Sequence, residues 1–221
     1  MALDYMYDDD HAMRIGFPMS RTDFDHLAQH GTEYRYEWIK GRIYLMAPPS
    51  PQHISLADNV LVAFKALFGF EGPCRPYRER DVEIPPHEGH PDGAVKRPDV
   101  VVSCAFSDYR RKREKGRISS YARSPRIIVE VLSEDSTADE DRSTKFDLYK
   151  QCASLEIYLL LSQTAMEGTV FRRATGWRAE TFTGDVEIPL GEEGVLRLAH
   201  IYRGVLTPED SSEEDQADLS T

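Results

Sequence analysis

The chain has few cysteines and no long apolar run, and these shortages exclude several classes of protein. Its 221 residues include only three cysteines. Cys74, Cys104 and Cys152 are widely spaced and form no CxxC pair, which argues against a disulfide framework and a zinc knuckle, so we expect buried thiols. The longest apolar run, at residues 157–161, is too short to span a bilayer, and the N-terminus lacks the pattern of a signal sequence. We therefore expect a cytoplasmic protein.

Positive charge is also in short supply, since 27 bases face 38 acids and the net charge is -11. Such a balance disfavours binding to a polyanion, but ten of the acids lie near the two ends, so the central part is close to neutral. These ten acids are Asp4, Asp8, Asp9, Asp10, Glu209, Asp210, Glu213, Glu214, Asp215 and Asp218. We expect a flexible acidic N-terminal segment at 1–20, one folded domain at 21–206 and a disordered acidic tail at 207–221.

The hydrophobic pattern predicts helices and strands that alternate at first, followed by a cluster of strands. The predicted helices cover residues 22–30, 51–68 and 136–152, and the predicted strands cover 34–39, 42–46, 77–84, 100–102, 127–132, 156–161, 168–173, 177–183 and 185–190. This order favours an α/β domain built on a mixed sheet. The sequence contains neither a P-loop nor a GxSxG nucleophile elbow.

Two acidic residues stand next to or within strongly apolar predicted strands. Asp99 ends a turn and precedes the β-branched run 100–102, whereas Glu130 interrupts a run that is otherwise apolar on both faces. Such a run is typical of a central strand that is covered on both sides. Because an unpartnered buried carboxylate is costly, Glu130 should be protonated, ion-paired or bound to a cation. Neighbouring strands that each carry one acid can hold Mg²⁺ between them.

Lys145 lies in the predicted helix 136–152, beside an inward stripe that includes Phe146 and Tyr149. Its ammonium group could therefore reach the attacking water or the scissile phosphate of a substrate. A simpler structural alternative is that an arginine neutralises Glu130 while Lys145 pairs with Asp141 on the helix surface.

These residues together resemble the Uma-two family of restriction-endonuclease-like proteins, which belongs to the PD-(D/E)XK nuclease superfamily. The resemblance covers roughly residues 22–205. The matching motifs are Pro98-Asp99, Glu130-Val131-Leu132-Ser133, Lys145 with Tyr149, Tyr36-Glu37 with Gly41, and Pro49-Ser50-Pro51 with His53. The resemblance implies a restriction-endonuclease-like mixed β-sheet flanked by helices, with an additional N-terminal hairpin and a C-terminal β-meander.

The resemblance also implies Asp99 and Glu130 as metal ligands and Lys145 as the catalytic lysine. The superfamily pattern places this lysine two residues after the second acid, where this chain has Leu132. In the Uma-two family the lysine is displaced to the following helix, which is the position of Lys145. The chain departs from the family pattern at residues 134–137, which replace Pro-Ser-Thr, and at Ser162, which replaces an aspartate.

Glu37 and His53 each have two interpretations. Spacing alone predicts that Glu37 faces solvent in a strand and that His53 packs beside Ala57, whereas the resemblance makes both residues assistants of the catalytic site. The segment 87–92 contains ligand-type residues, but its prolines and glycines favour a solvated turn.

The most basic stretch lies between the strands that carry Asp99 and Glu130. Such stretches are often solvated loops, but this one could grip the backbone phosphates of DNA beside the site. Its basic residues are Arg110, Arg111, Lys112, Arg113, Lys115 and Arg117.

We therefore predict a Mg²⁺- or Mn²⁺-dependent endonuclease that hydrolyses DNA phosphodiester bonds. The alternative is a catalytically silent module that binds nucleic acid or protein on the same scaffold. Hydrolysis of another phosphate ester or of a nucleic acid other than DNA would use the same residues. Homodimerisation is an expectation drawn from the superfamily alone.

Overall fold

The computed structural model of the protein describes residues 5–7, 13–30, 34–109, 113–114, 117–118, 121–132 and 145–206. The strands are β1 (Tyr5–Tyr7), β2 (Met13–Pro18), β3 (Tyr36–Ile39), β4 (Arg42–Leu45), β5 (Arg75–Arg78), β6 (Val82–Ile84), β7 (Ala94–Lys96), β8 (Val100–Ser103), β9 (Arg113–Glu114), β10 (Arg117–Ile118), β11 (Pro125–Leu132), β12 (Ile157–Ser162), β13 (Glu167–Arg172), β14 (Ala179–Thr183), β15 (Glu187–Pro189) and β16 (Val195–Arg197). The α-helices are α1 (Arg21–His30), α2 (Pro51–Phe68), α3 (Phe106–Tyr109), α4 (residues 145–149) and α5 (Leu198–Ile201).

The central sheet has six strands in the order β14-β13-β12-β11-β8-β5. Strands β11 and β12 run parallel, while the other neighbouring pairs run antiparallel, so the sheet is mixed as predicted. Strands β8 and β11 are apolar on both faces because helices and a second sheet cover the two sides.

Helix α2 covers one face of the central sheet. Ser50 caps its start by accepting a hydrogen bond from the N–H of His53 at 3.1 Å, and Pro51 occupies its first turn. Its buried stripe packs with α5 against alternate residues of β8, β11 and β12. These core residues include Leu56, Val60, Phe64, Val100, Val102, Val129, Val131, Leu159, Leu198 and Ile201.

A second six-stranded sheet lies over the opposite face, in the antiparallel order β1-β2-β4-β3-β7-β6. The predicted hairpin corresponds to β3 and β4, joined by Lys40 and Gly41, which have φ values of 49° and 74°. Residues of α4 complete this layer. The cluster between the layers includes Val82, Ile84, Ala94, Val101, Ile128, Phe146, Leu148, Tyr149, Tyr158 and Leu160.

The structure differs from the sequence analysis in three features of chain organisation. The predicted strand 77–84 is two strands, β5 and β6, in different sheets, because the chain bends at Glu79 with a φ of 50°. The four charged residues 78–81 interrupt the apolar alternation at this bend, a signal that the prediction of one continuous strand overlooked. Residues 94–96, which the hydrophobic pattern assigned to no strand, form the internal strand β7. In the segment 1–20, expected to be flexible, β2 pairs with both β1 and β4.

The expectation of three free thiols is also wrong for two of the cysteines. Cys74 and Cys104 form a disulfide, while Cys152 is a buried thiol. Antiparallel pairing of β5 with β8 sets Arg75 opposite Ser103, and one further step places the two cysteines across from each other. Their distance of 30 residues in sequence concealed this proximity.

Within the described ranges, none of the helices combines the length and the hydrophobicity needed to cross a membrane. The predicted tail 207–221 and the first part of the predicted helix 136–152 lie outside the described residues.

Candidate active site

Asp99 and Glu130 meet through the pairing of β8 with β11. The antiparallel register joins Val101 to Ile128 and Val100 to Val129, so its next step sets Asp99 opposite Glu130. Both acids are buried, with exposures of 4% and 6%. Because alternate residues of a strand share a face, Glu130 lies on the same side as Ile128, under α4 and the second sheet.

Asp99 is held from three directions. Its Oδ1 atom lies 2.7 Å from Nε2 of His53, and its Oδ2 atom accepts a hydrogen bond from the N–H of Val131 at 2.8 Å. The guanidinium of Arg35 is 3.7 Å from Oδ1. Burial alone raises the pKa of Asp99, but His53, the N–H of Val131 and the charge of Lys145 together hold that pKa below its ordinary value.

Glu130 has the opposite electrostatic situation. Its Oε1 atom accepts a hydrogen bond from the hydroxyl of Tyr149 at 2.9 Å. Burial raises the pKa of Glu130 to about 8; the charge of Lys145 opposes this rise, while Asp99 and Glu37 add to it. In the absence of a bound cation, Glu130 therefore keeps its proton at neutral pH. The paired acids thus differ strongly in proton affinity, as is common at catalytic and metal sites.

Lys145 lies in α4 with its charge acting on both acids. It lowers the pKa of Asp99 and opposes the rise in the pKa of Glu130. Tyr149 follows four residues later, so both side chains lie on one face of the helix. The structure therefore brings Lys145 to Asp99 and Glu130. Asp141, the partner in the structural alternative, lies outside the described residues.

Glu37 is buried rather than solvent-facing, which corrects the prediction from spacing. Only 1% of its surface is exposed, and its Oε2 atom accepts a hydrogen bond from Nζ of Lys96 at 2.7 Å. The register of β3 with β7 pairs Trp38 with Val95, so its next step sets Glu37 opposite Lys96. Strand β3 is internal and covered on both faces, and the charge of Glu37 reaches Glu130.

Several residues of the site were not predicted from the sequence. Arg35 and Lys96 contact the predicted acids, and Gln163 is buried where its Oε1 atom accepts a hydrogen bond from Ser50 at 2.7 Å. No single-sequence signal distinguishes these side chains from surface polar residues, because their positions depend on sheet pairing. The hydroxyl of Ser162 instead accepts hydrogen bonds from backbone N–H groups of the loop that follows β12.

Of the predicted basic loop, the structure describes only the backbone of residues 113–114 and 117–118. Arg113 lies in β9 and Arg117 lies in β10, and these two strands pair with each other. The remaining basic residues of this loop, Arg110, Arg111, Lys112 and Lys115, lie outside the described residues.

The donor set of Asp99 and Glu130 fits a hard divalent cation. Among the residues that the structure describes, no three or more side chains of His, Cys, Asp or Glu are grouped to hold a metal ion. Mg²⁺, however, is commonly bound by one or two carboxylates with water completing its coordination. The raised pKa of Glu130 shows that the charges around it do not offset its burial, and a bound cation would supply that compensation. In the segment 87–92, His87 and His90 exchange backbone hydrogen bonds as a turn requires.

Comparison with known proteins identifies the family. The model of the Uma2 family, described as "Putative restriction endonuclease", matches residues 21–200. The chain belongs to the Uma2 family. The uncharacterized protein slr1290 of Synechocystis sp. is 31% identical to this Uma2 protein, with 77% of this chain and 85% of the relative covered. The family resemblance of the sequence motifs is thereby confirmed.

A solved structure of another protein has the same fold as this Uma2 protein. It is described as a "putative nuclease belonging to DUF820" from Anabaena variabilis, and it has 18% sequence identity with this chain. The two structures superpose with a TM-score of 0.65 over 86% of this chain and 100% of the other. The predicted restriction-endonuclease-like fold is thereby confirmed, and the description of the family indicates a nuclease.

Proposed function

We propose that this Uma2 protein is a metal-dependent endonuclease that hydrolyses phosphodiester bonds of DNA. The observation that carries the proposal is the position of Asp99 opposite Glu130 on a buried face, with the charge of Lys145 acting on both. Carboxylates in this arrangement suit a divalent cation, and a neighbouring ammonium group suits an anionic substrate.

Asp99 and Glu130 would hold Mg²⁺ or Mn²⁺. When bound, such an ion polarises the phosphoryl oxygen and lowers the pKa of a bound water. The supporting residues fix the two ligands: Nε2 of His53 lies 2.7 Å from Asp99, and the hydroxyl of Tyr149 donates to Glu130. Such partners orient metal ligands and limit their rotation.

Lys145 would act on the substrate. Its ammonium group would stabilise negative charge that develops on the phosphate and would orient the attacking water. Glu37 contributes an additional buried acid, but Lys96 neutralises it through a direct hydrogen bond. We therefore infer that Glu37 supports the structure of the site and does not itself bind the metal ion.

Calorimetric titration with Mn²⁺ tests the metal site. The parent protein should bind the ion, and Asp99→Ala and Glu130→Ala should each lose binding, whereas Glu192→Ala, which removes an exposed acid, should behave as the parent. Equal heats of binding in the parent and the two site variants would contradict the proposed site. That result would favour the catalytically silent binding module.

Cleavage of single-stranded, duplex and branched DNA tests the catalytic step. The parent should cleave at least one of these substrates with Mn²⁺, and Lys145→Ala should bind Mn²⁺ normally but lose most of its cleavage rate, since one positively charged group is commonly worth about 100-fold or more. Demonstrated Mn²⁺ binding without cleavage of any substrate would contradict the endonuclease assignment.

A further inference from the structure

Arg35 lies at the candidate active site without hydrogen bonds to the acids that surround it. It directly precedes β3, and its Nη2 atom is 3.7 Å from Oδ1 of Asp99. Its Nε atom is 3.7 Å from Oε2 of Glu79. Both distances exceed the usual range for a hydrogen bond. The two carboxylates therefore attract the guanidinium by charge while leaving its donors available.

One nitrogen donor of Arg35 lacks the hydrogen-bond partner that a buried donor normally has. The Nε atom of Arg35 is buried and has no hydrogen-bond partner. A buried donor in this state costs stability, and native proteins satisfy most such donors with a protein group, an ordered water or a ligand. Although Nε is buried, 17% of the side chain as a whole remains exposed, so a ligand can contact other atoms of Arg35 from solvent.

A neighbouring arginine differs in how its donors are used. Arg78 also approaches Glu79, at 3.6 Å from Oε1, and its Nε atom is likewise buried without a partner. Another of its nitrogens, however, bonds to Asp58 on α2, which commits this side chain to the protein. Arg35 makes no such bond to its two carboxylates. Its guanidinium group therefore keeps hydrogen-bond donors for a ligand at the site.

We propose that Arg35 binds a phosphodiester group of the DNA strand held at the active site. The inference rests on the proposed function and adds the residue that receives the substrate backbone. A guanidinium presents parallel N–H donors that match phosphate oxygens, and its proximity to Asp99 places the bound phosphate beside the residues of the candidate active site. Arg35 is not one of the residues of the predicted basic loop.

Binding of fluorescent oligonucleotides in EDTA tests the proposal without cleavage. The parent, Arg35→Gln and Arg35→Lys are titrated with one single-stranded and one duplex oligodeoxynucleotide at several salt concentrations, and anisotropy is measured. Arg178→Gln is the matched control, because it removes the same charge from an exposed position. Arg178 directly precedes β14, and β14 and β5 form the two opposite edges of the central sheet.

Arg35→Gln should weaken binding about tenfold and reduce the slope of log affinity against log salt by about 1, as expected for one lost phosphate contact. Arg35→Lys should recover part of the affinity, since it keeps the charge but loses the planar fork. Arg178→Gln should match the parent. Circular dichroism on each variant separates a binding defect from unfolding.

The outcomes separate this proposal from the nuclease assignment. Arg35-dependent binding by a parent protein that cuts no DNA with Mn²⁺ would support the phosphate site and contradict the endonuclease. DNA cleavage by the parent, with affinity and salt slope unchanged in Arg35→Gln, would overturn the role of Arg35 while the endonuclease stands. Absence of any binding of the parent to both oligonucleotides would also overturn it.

Discussion

Replacing Glu130 by glutamine should stabilise the metal-free protein at neutral pH. Burial raises the pKa of Glu130 from its ordinary 4.5 to about 8, so the folded state retains a proton that the unfolded chain releases. Stability from this group is fully present below pH 4.5 and is lost as the pH rises towards 8. Glutamine is neutral in both states and carries no such dependence.

The size of the effect follows from the same pKa. Because each tenfold change in proton affinity is worth about 1.4 kcal/mol, the rise to about 8 costs about 5 kcal/mol at high pH and about 3 kcal/mol at pH 7. For a chain of this length, 3 kcal/mol corresponds to a Tm higher by roughly 6–12 °C. The amide NH₂ group needs an acceptor and reduces this gain, although the hydroxyl of Tyr149 can still donate to the amide oxygen.

The assay is denaturant unfolding of the parent and of Glu130→Gln in EDTA from pH 5 to pH 9. The difference in unfolding free energy should grow with pH up to about 8 and then level off. Glu156→Gln is the control, since it removes an acid whose side chain is 54% exposed. Parallel pH profiles for the parent and Glu130→Gln, or a variant less stable than the parent at pH 8, would refute the electrostatic account of the site.

Two further predictions concern the surroundings of the site. Lys96→Met should destabilise the protein by about 3–5 kcal/mol in denaturant unfolding, because it removes the ammonium group that is ion-paired with the buried carboxylate of Glu37. Adding Glu37→Gln should restore much of this loss, and a single-variant loss below about 1 kcal/mol would contradict the buried pair. Reducing the disulfide between Cys74 and Cys104, which closes a loop of 30 residues, should cost about 3–4 kcal/mol. An unfolding midpoint unaffected by reductant would show that this disulfide does not stabilise the protein.

The acids and the lysine of the candidate site could be predicted from the sequence because each contrasts with its local pattern. Glu130 is the one charged residue in the apolar run 127–132, and Asp99 directly precedes another apolar strand. Lys145 could be placed because it borders an apolar stripe, and the structure brings its charge to both acids. Their assigned roles remain predictions.

Other features depended on pairings that a single sequence does not reveal. Glu37 is buried because β3 is an internal strand, and its partner Lys96 lies 59 residues away in the chain. Arg35 reaches Asp99 across a similar separation. Four charged residues, 78–81, interrupt the alternation at the bend, but only the sheet pairing shows that the two halves enter different sheets.

The sequence by itself determined the strand and helix types, the family motifs and the presence of a carboxylate in an apolar strand, because periodicity and burial preference act over a few neighbouring residues. Tertiary structure decided which side chains meet. The register of β8 with β11 places Asp99 opposite Glu130, and a slip by one residue would turn the acids to opposite faces of the sheet. Register is set by packing across the whole domain, which explains why local sequence predicted the residues of the site and only the fold could assemble them.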